Sequence, residues 1–337
     1  MNLSRVFIVV FFLILSVVAY AGLYIYQDYQ DFKKTPLTLS KDIVFKIERG
    51  QSFQTVLDNL IEIQATDKPD YFKYLAKNTG LARQIQSGEY LLEQNLLPEE
   101  ALSLFASGKV IQYTLTLVEG WHIWETLEVV KNDPVLIKTL DYSSSEKLMT
   151  QLNLEDRYSE GLFFPDTYHF PRGTTDKEFL IRANSRLENI LKQEWENRAE
   201  NLPYKNSYEA LIMASIIEKE TGLASERNEI AGVFVRRLEK NMKLQTDPTV
   251  IYAIGEQFDG DIKRKDLRID SPYNTYKHKG LPPTPISLVG REAIHAALHP
   301  KDGKTLYFVA KGDGSHYFSE TLSEHNQAVA KYQLKKK

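Results

Sequence analysis

The residue best placed for acid–base chemistry is Glu218, in the run ASIIEKET at 214–221. Leu211, Ala214 and Glu218 recur at i, i+3 and i+7, so a helix would place them on one face. Burial on an apolar face raises the pKa of a carboxyl group, as a general acid requires. The alternative is a cap or a salt bridge to a neighbouring helix, and spacing alone leaves both open. Glu220, turned about 200° away, is expected to face solvent.

The chain lacks the residues and motifs that most other catalytic mechanisms require. With no cysteine among its 337 residues, the chain has no thiol nucleophile, thiolate metal site or disulfide. It also lacks a His-Glu-x-x-His zinc motif, a Gly-x-Ser-x-Gly elbow and a Gly-rich phosphate loop. His295 and His299, at i and i+4, are interpreted as a polar helix edge and not as metal ligands. We therefore expect no metal ion and no cofactor.

The charge balance gives no electrostatic drive toward nucleic acid. The formal net charge is −3, and the basic residues are spread along the chain apart from the short tail 335–337. Nucleic-acid binding depends on neutralising phosphates with clustered Lys and Arg. We therefore expect no nucleic-acid partner, and we interpret the lysine tail as a solvated terminus.

Two predicted loops carry groups suited to sugars. The stretches 245–249 and 271–276 supply amides, hydroxyls and aromatic rings, and proline stiffens both. Capping of turns by Asp247 and Asn274 would explain the same residues. Trp121 and Trp124 could also stack on sugar rings, although a pair at i and i+3 is more typical of core anchors.

These residues must be positioned by elements that follow an apolar N-terminal segment. The segment 6–26 would span ~30 Å as a helix, which is the thickness of a bilayer core. A cleaved signal peptide is the alternative, because Ala19-Tyr20-Ala21 resembles a cleavage site. The apolar run continues through Ile25, which favours a retained anchor. Either interpretation sends the remainder across the membrane, and a retained anchor leaves residues 1–5 as a short cytoplasmic tail.

The rest of the chain predicts an α+β protein with two folded parts. A polar stalk, 27–42, precedes a small α+β subdomain at 43–112. That subdomain is either a spacer or a LysM-like unit that binds peptidoglycan, and the pattern alone favours a spacer. The larger part, 113–337, is a mixed α+β domain with a closing hairpin. Its predicted helices are 179–199, 208–221, 226–241 and 288–299, with loops from 245 to 285.

Five blocks of sequence, taken together, resemble the MltG (YceG-like) family of endolytic murein transglycosylases. They are EGLFFPDTY at 160–168, ASIIEKET at 214–221, LQTDPTVIY at 244–252, SPYNTY at 271–276 and GLPPTPI at 280–286. The blocks occur in register and the match extends over nearly the whole chain. The resemblance implies a LysM-like subdomain beside a catalytic domain. It also implies that Glu218 is the catalytic acid/base, and it makes the two loops candidates for binding substrate through Gln245, Thr246, Asp247, Asn274 and Tyr276.

The resemblance also implies a function and a location. We expect a carbon–oxygen lyase that cuts within nascent peptidoglycan strands and leaves 1,6-anhydro-N-acetylmuramic acid ends, which could terminate strand elongation. We expect a single-pass protein of the inner membrane, with its N-terminus cytoplasmic, its bulk periplasmic and peptidoglycan synthases (penicillin-binding proteins) as partners. The alternatives are a lysozyme-like hydrolase, with Asp247 or Glu226 as a second acid, and a non-enzymatic scaffold that binds the cell wall.

Overall fold

A computed structural model describes residues 3–155 and 157–334, and it divides into two compact units. Unit 1 comprises Met1–Tyr113 with Phe170–Gly173, and unit 2 comprises Thr114–His169 with Thr174–Lys337. The first two residues of the predicted tail and the lysines at 335–337 lie outside the described residues. Short two-stranded sheets among many helices confirm the predicted α+β class.

The N-terminal helix is longer than the predicted membrane span. α1 covers Leu3–Lys34, and Val6–Lys34 is long and apolar enough to cross a membrane, with a mean hydropathy of 2.8. The segment predicted as a stalk, 27–42, differs from that expectation. It stays helical to Lys34 and buries Phe32 and Leu37 in the core of unit 1. The cause is the helical face begun by Tyr29 and Phe32, which both pack on Tyr71.

Unit 1 is built around one antiparallel strand pair. β1 pairs with β2 in a register that places Phe45 opposite Tyr90. Ser52 caps α2 by accepting a hydrogen bond from the Thr55 amide. Tyr90 and Phe105, both fully buried, meet edge to face with ring centroids 5.2 Å apart. The elements after α1 are β1 (Ile43–Ile47), α2 (Phe53–Glu62), α3 (Pro69–Asn78), β2 (Gly88–Leu92) and α4 (Pro98–Ser107).

Unit 2 is mainly helical. The strands β3 (Gln112–Thr116) and β4 (Thr167–Pro171) form a two-stranded sheet, and each strand includes residues of both units. Within unit 2, a closing hairpin consists of β5 (Tyr307–Ala310) and β6 (His316–Ser319). The hairpin is antiparallel, as its sequence predicts. The helices are α5 (Ile123–Asn132), α6 (Ser145–Gln151), α7 (Asp176–Glu196), α8 (Ser207–Glu220), α9 (Arg227–Glu239), α10 (Asp247–Ile254), α11 (Arg291–Leu298) and α12 (Leu322–Tyr332).

The core of unit 2 surrounds α8. Every residue from Ala210 to Ile217 is buried, so this helix is enclosed on all sides instead of presenting one apolar stripe. Helices α7, α9 and α11 contribute to the same core. The sequence predicts α7, α8, α9 and α11 to within a few residues. It misses α10, which lies in the region predicted as loops and begins at the Asp247-Pro248 pair, where proline suits the first turn of a helix.

Candidate active site

The position of Glu218 is fixed by hydrogen bonds between α8 and the segment 286–290. Ser215 Oγ accepts a hydrogen bond from the Ile286 amide at 2.9 Å, one turn before Glu218 on the helix. Glu218 Oε2 then accepts a hydrogen bond from the Gly290 amide at 3.0 Å. Since Ser215 and Glu218 are three residues apart, the segment runs along one face of α8. The Glu218 carboxyl group therefore has a defined orientation before any substrate binds.

The surroundings of Glu218 favour its protonated form. The side chain is half-buried, and this burial is the largest effect on its pKa, which is raised. The Gly290 amide opposes the rise. The negative charge of Glu119 adds to it, and the positive charges of Arg227 and Lys219 reduce it. A carboxyl group with a raised pKa and an exposed edge can donate a proton to a bound ligand.

Three of the five predicted substrate contacts lie around Glu220 and not around Glu218. Gln245, Asp247 and Tyr276 line a cavity of about 490 Å³ together with Glu220. Tyr276 donates its phenolic hydrogen to Asp247 Oδ1 at 2.6 Å. Gln245 is exposed and has a φ of 52°, a left-handed conformation that costs energy for a residue other than glycine. The cavity offers a mixed surface of amide, carboxyl and phenol groups.

The expectation that Glu220 faces solvent is wrong. The hydroxyl of Thr246, a residue only 2% exposed, donates a hydrogen bond to Glu220 Oε1. Burial raises the pKa of Glu220 to about 7, and the nearby Asp247 charge adds to the effect. Because α8 is enclosed on all sides, the face opposite Glu218 is also covered by protein. Thr246 thus contacts the site through Glu220.

Asn274 does not reach a ligand-accessible surface. It is fully buried, and its amide nitrogen donates to the carbonyls of Leu267 and Ile269 at 3.1 and 2.8 Å. Its Oδ1 accepts a hydrogen bond from the Tyr276 amide at 3.0 Å. The substrate contact predicted for Asn274 is therefore wrong, and the alternative of a turn-holding residue is correct. It shapes the loop that presents Tyr276.

Another buried carboxyl group, Glu160, was not predicted as a functional residue. It is 3% exposed and accepts hydrogen bonds from the Ile123 amide at 3.1 and 3.2 Å, at the first turn of α5. Burial raises its pKa to about 7, opposed by the Ile123 amide and the Tyr252 phenol. The only sequence signal is its place at the start of the EGLFFPDTY block. Its contacts indicate a role in anchoring α5.

An aromatic group lies next to Glu160. The His122 ring stacks on Trp124 at a centroid distance of 4.1 Å, and Trp124 stacks on Tyr252 at 6.2 Å. Tyr252 also contacts Tyr273 at 4.7 Å. Trp121 and Trp124 are both half-buried and outside the buried core cluster, so the interpretation as core anchors does not describe them.

The acids considered as partners for a hydrolytic water have other contacts. Glu226 accepts hydrogen bonds from the amide and ring of His316, the latter at 2.7 Å. Asp247 accepts a hydrogen bond from the Tyr276 hydroxyl, and its negative charge raises the pKa of Glu220. The carboxylate whose negative charge raises the pKa of Glu218 is instead Glu119, which the sequence analysis does not identify as a candidate.

A histidine cluster between α7 and α11 is explained by ion pairing. Glu194, His295 and His299 offer ligand atoms within 4.8 Å of one another. However, Arg291 Nε donates to Glu194 Oε1 at 2.8 Å, and His295 Nδ1 lies 2.9 Å from Oε2. The arginine already compensates the buried carboxylate, so the cluster acts as a salt bridge between two helices.

Comparison with known proteins identifies relatives over most of the chain. The model of the YceG-like family matches residues 45–331. An endolytic murein transglycosylase of Bacillus subtilis is 34% identical over 308 residues, which cover 85% of this chain and 83% of that protein. One of Streptococcus pneumoniae is 26% identical over 364 residues, and the match spans only 65% of its length. The crystal structure of a yceG-like protein of Listeria monocytogenes is 31% identical, with a TM-score of 0.53 over 86% of this chain and 99% of that one.

Proposed function

Because the chain belongs to the YceG-like family, we propose that it is an endolytic murein transglycosylase with Glu218 as its catalytic acid/base. It cuts peptidoglycan strands at internal bonds between N-acetylmuramic acid and N-acetylglucosamine. The observation that carries the role of Glu218 is its carboxyl group, half-buried, held by the Gly290 amide and with a pKa raised by burial. A carboxyl group whose pKa is raised by burial keeps its proton more readily, as a general acid requires.

The reaction requires one carboxyl group in two states. Protonated Glu218 first gives its proton to the glycosidic oxygen as the C1–O bond of the muramic residue breaks. The C6 hydroxyl oxygen of the same residue then bonds to C1, and its proton passes to the Glu218 carboxylate. The products are a 1,6-anhydro end and a free hydroxyl on the departing sugar, no water is consumed, and Glu218 regains its starting state.

An internal nucleophile suits the surroundings of Glu218. Glycosidases that use water need a second carboxyl group to activate it, whereas an attached hydroxyl has a large effective concentration. The acids first considered for that role, Asp247 and Glu226, are engaged elsewhere. This favours the transglycosylase over the lysozyme-like hydrolase.

The glycan strand binds across the C-terminal end of α8, from the cavity lined by Glu220 to the exposed edge of Glu218. In this proposal Gln245, Asp247 and Tyr276 contact the glycan, while Thr246 orients Glu220 from behind. The strained backbone of Gln245 supports the assignment, because strain of this kind is retained where a side chain must be presented to a ligand.

The N-terminal helix places the enzyme at its substrate. Val6–Lys34 anchors the chain in the cell membrane in a single pass. We further propose that the N-terminus is cytoplasmic, that the folded parts after α1 are periplasmic, and that residues 43–112 form a LysM-like unit and residues 113–337 the catalytic domain. A tethered enzyme of this kind acts beside peptidoglycan synthases and ends the elongation of new strands.

The chemistry of the product tests the proposed function. Purified full-length protein is incubated with peptidoglycan, and the released fragments are analysed by mass spectrometry. We expect internal cleavage with anhydromuramic ends. Reducing ends would support a hydrolase and contradict the transglycosylase, and intact strands would support a binding scaffold.

A further inference from the structure

A second carboxyl group lies against the residue that holds Glu218. A Cβ atom built on Gly290 would come within 2.1 Å of Glu119 Oε1 and 2.5 Å of its Cδ. The Glu119 carboxylate thus rests on Gly290, whose amide donates to Glu218. Gly290 has a φ of −73° and a ψ of 162°, which any residue can adopt. Glycine at this position therefore leaves space for the Glu119 carboxylate.

Backbone hydrogen bonds fix the segment that follows Glu119. The Gly120 amide donates to the Leu288 carbonyl at 2.9 Å, and the Leu288 amide donates to the Trp121 carbonyl at 2.7 Å. These bonds join the segment after β3 to the segment that runs along α8. Glu119 and Glu218 therefore approach Gly290 from two different elements that are tied together.

The charged groups that face Glu218 differ in their hydrogen-bond partners. Lys219 Nζ donates to the Gly120 carbonyl at 3.0 Å, and Arg227 comes from α9 with a buried Nε that lacks a partner in the described part of the chain. Glu119 is exposed, and none of the described residues donates a hydrogen bond to it. Two carboxyl groups close together, one of them half-buried, are an arrangement typical of functional sites.

We infer that Glu119 is a positioning residue for the reaction, whose negative charge at Gly290 holds the proton on Glu218 until the substrate is bound. The inference rests on the proposed role of Glu218. Two nearby carboxyl groups cannot both ionise without repulsion, so the negative charge of Glu119 favours the protonated form of Glu218. Burial and Glu119 both raise the pKa of Glu218, whereas Gly290, Arg227 and Lys219 lower it. Without Glu119, the last three would act against burial alone.

The test is the pH dependence of cleavage by purified full-length protein. Cleavage needs protonated Glu218, so the rate falls as the pH rises through the pKa of this group. In Glu119→Gln the charge is lost while the shape is kept, and we expect the alkaline limb of kcat/KM to shift to lower pH. The matched control is Glu128→Gln, which removes the same charge from an exposed position on α5 and should leave the limb in place.

A second variant moves the charge without removing it. In Gly290→Ala the new methyl group displaces the Glu119 carboxylate, which ends a flexible exposed side chain, while the amide that binds Glu218 remains. We expect a shift in the same direction and of smaller size. The inference is overturned by an unshifted limb in Glu119→Gln, by an equal loss of activity at every pH, or by an equal shift in Glu128→Gln. Cleavage by Glu218→Gln at the wild-type rate would instead overturn the proposed function, and this inference with it.

Discussion

Glu218 and Glu220 lie two positions apart on α8 and have separate partners. Glu218 accepts a hydrogen bond from the backbone of Gly290, and Glu220 accepts one from the side chain of Thr246. Helical periodicity predicts that Glu218 is on the buried face, but it predicts solvent around Glu220 because an amphipathic helix has a wet side. In α8 every residue from Ala210 to Ile217 is buried, and this depends on contacts with distant segments that a local pattern does not contain.

Glu160 provides a prediction at the same scale. Its pKa rises from 4.5 to about 7 on folding, so the folded state binds the proton more tightly than the unfolded state. The contribution to stability is fully present below pH 4.5 and is lost as the pH rises to 7, a change of roughly 3 kcal/mol. In Glu160→Gln we expect that fall to be reduced. Urea unfolding at several pH values measures it.

A slope unchanged by the substitution would contradict the burial of an ionisable Glu160. The matched comparison is Glu188→Gln on α7, which should keep the wild-type slope, since the Glu188 side chain is 42% exposed and pairs with an exposed arginine.

At the scale of elements, the sequence predicts α7, α8, α9 and α11 of unit 2 and misses α10. The predicted start of α8, residue 208, lies one residue after the observed start, Ser207. The agreement is close because Asn206 is a strong capping residue next to an apolar run. α10 was missed because its eight residues follow a glutamine in a strained conformation and lie between proline-rich loops. Tertiary contacts through Thr246 and Thr275 hold its start, and those contacts are not local.

The 271–276 loop allows a test of a structural role against a binding role. Asn274→Ala leaves two buried carbonyls and one amide without their partner. We expect a loss of stability of about 2–3 kcal/mol, because buried polar groups lose their hydrogen bonds. Urea unfolding measures the loss. Tyr276→Phe, which removes one hydroxyl from the cavity, should destabilise the protein less and weaken glycan binding more.

Unaltered stability in Asn274→Ala would restore the interpretation that this residue contacts substrate. The contrast with Tyr276→Phe separates the two roles, since both residues belong to the same loop but only Tyr276 lines the cavity.

At the scale of the whole molecule, the anchor and the first folded unit share a helix. The sequence predicts the membrane span from its composition. It also predicts a stalk at 27–42, whereas the structure continues α1 through part of this segment into the core of unit 1. The segment 27–42 is polar in overall composition, yet it contains Phe32 and Leu37, which are only 6% and 4% exposed in the structure. A shift in composition was therefore a poor guide to the end of this element.

Truncation tests this continuity. A protein that starts at Tyr26 keeps the buried residues, whereas one that starts at Leu39 loses Phe32 and Leu37. We expect the second truncation to lower the opening free energy of unit 1 by roughly 3–6 kcal/mol, from the lost burial of two apolar side chains. Hydrogen exchange at the amides of β1 and β2 measures this. Equal rates of amide hydrogen exchange in the two truncated proteins would instead support a stalk at 27–42 that adds nothing to the stability of unit 1.

The measurement that tests the account most directly is the yield of anhydromuramic ends from purified full-length Glu218→Gln and Glu220→Gln proteins. Both substitutions remove one carboxyl group from the same helix and keep its shape. We predict that Glu218→Gln stays folded and loses cleavage by roughly 10²–10⁴-fold, as expected for removal of a general acid/base. We predict that Glu220→Gln still forms anhydro ends. Anhydro ends formed by Glu218→Gln at the wild-type rate would contradict the assignment of Glu218 as the catalytic residue.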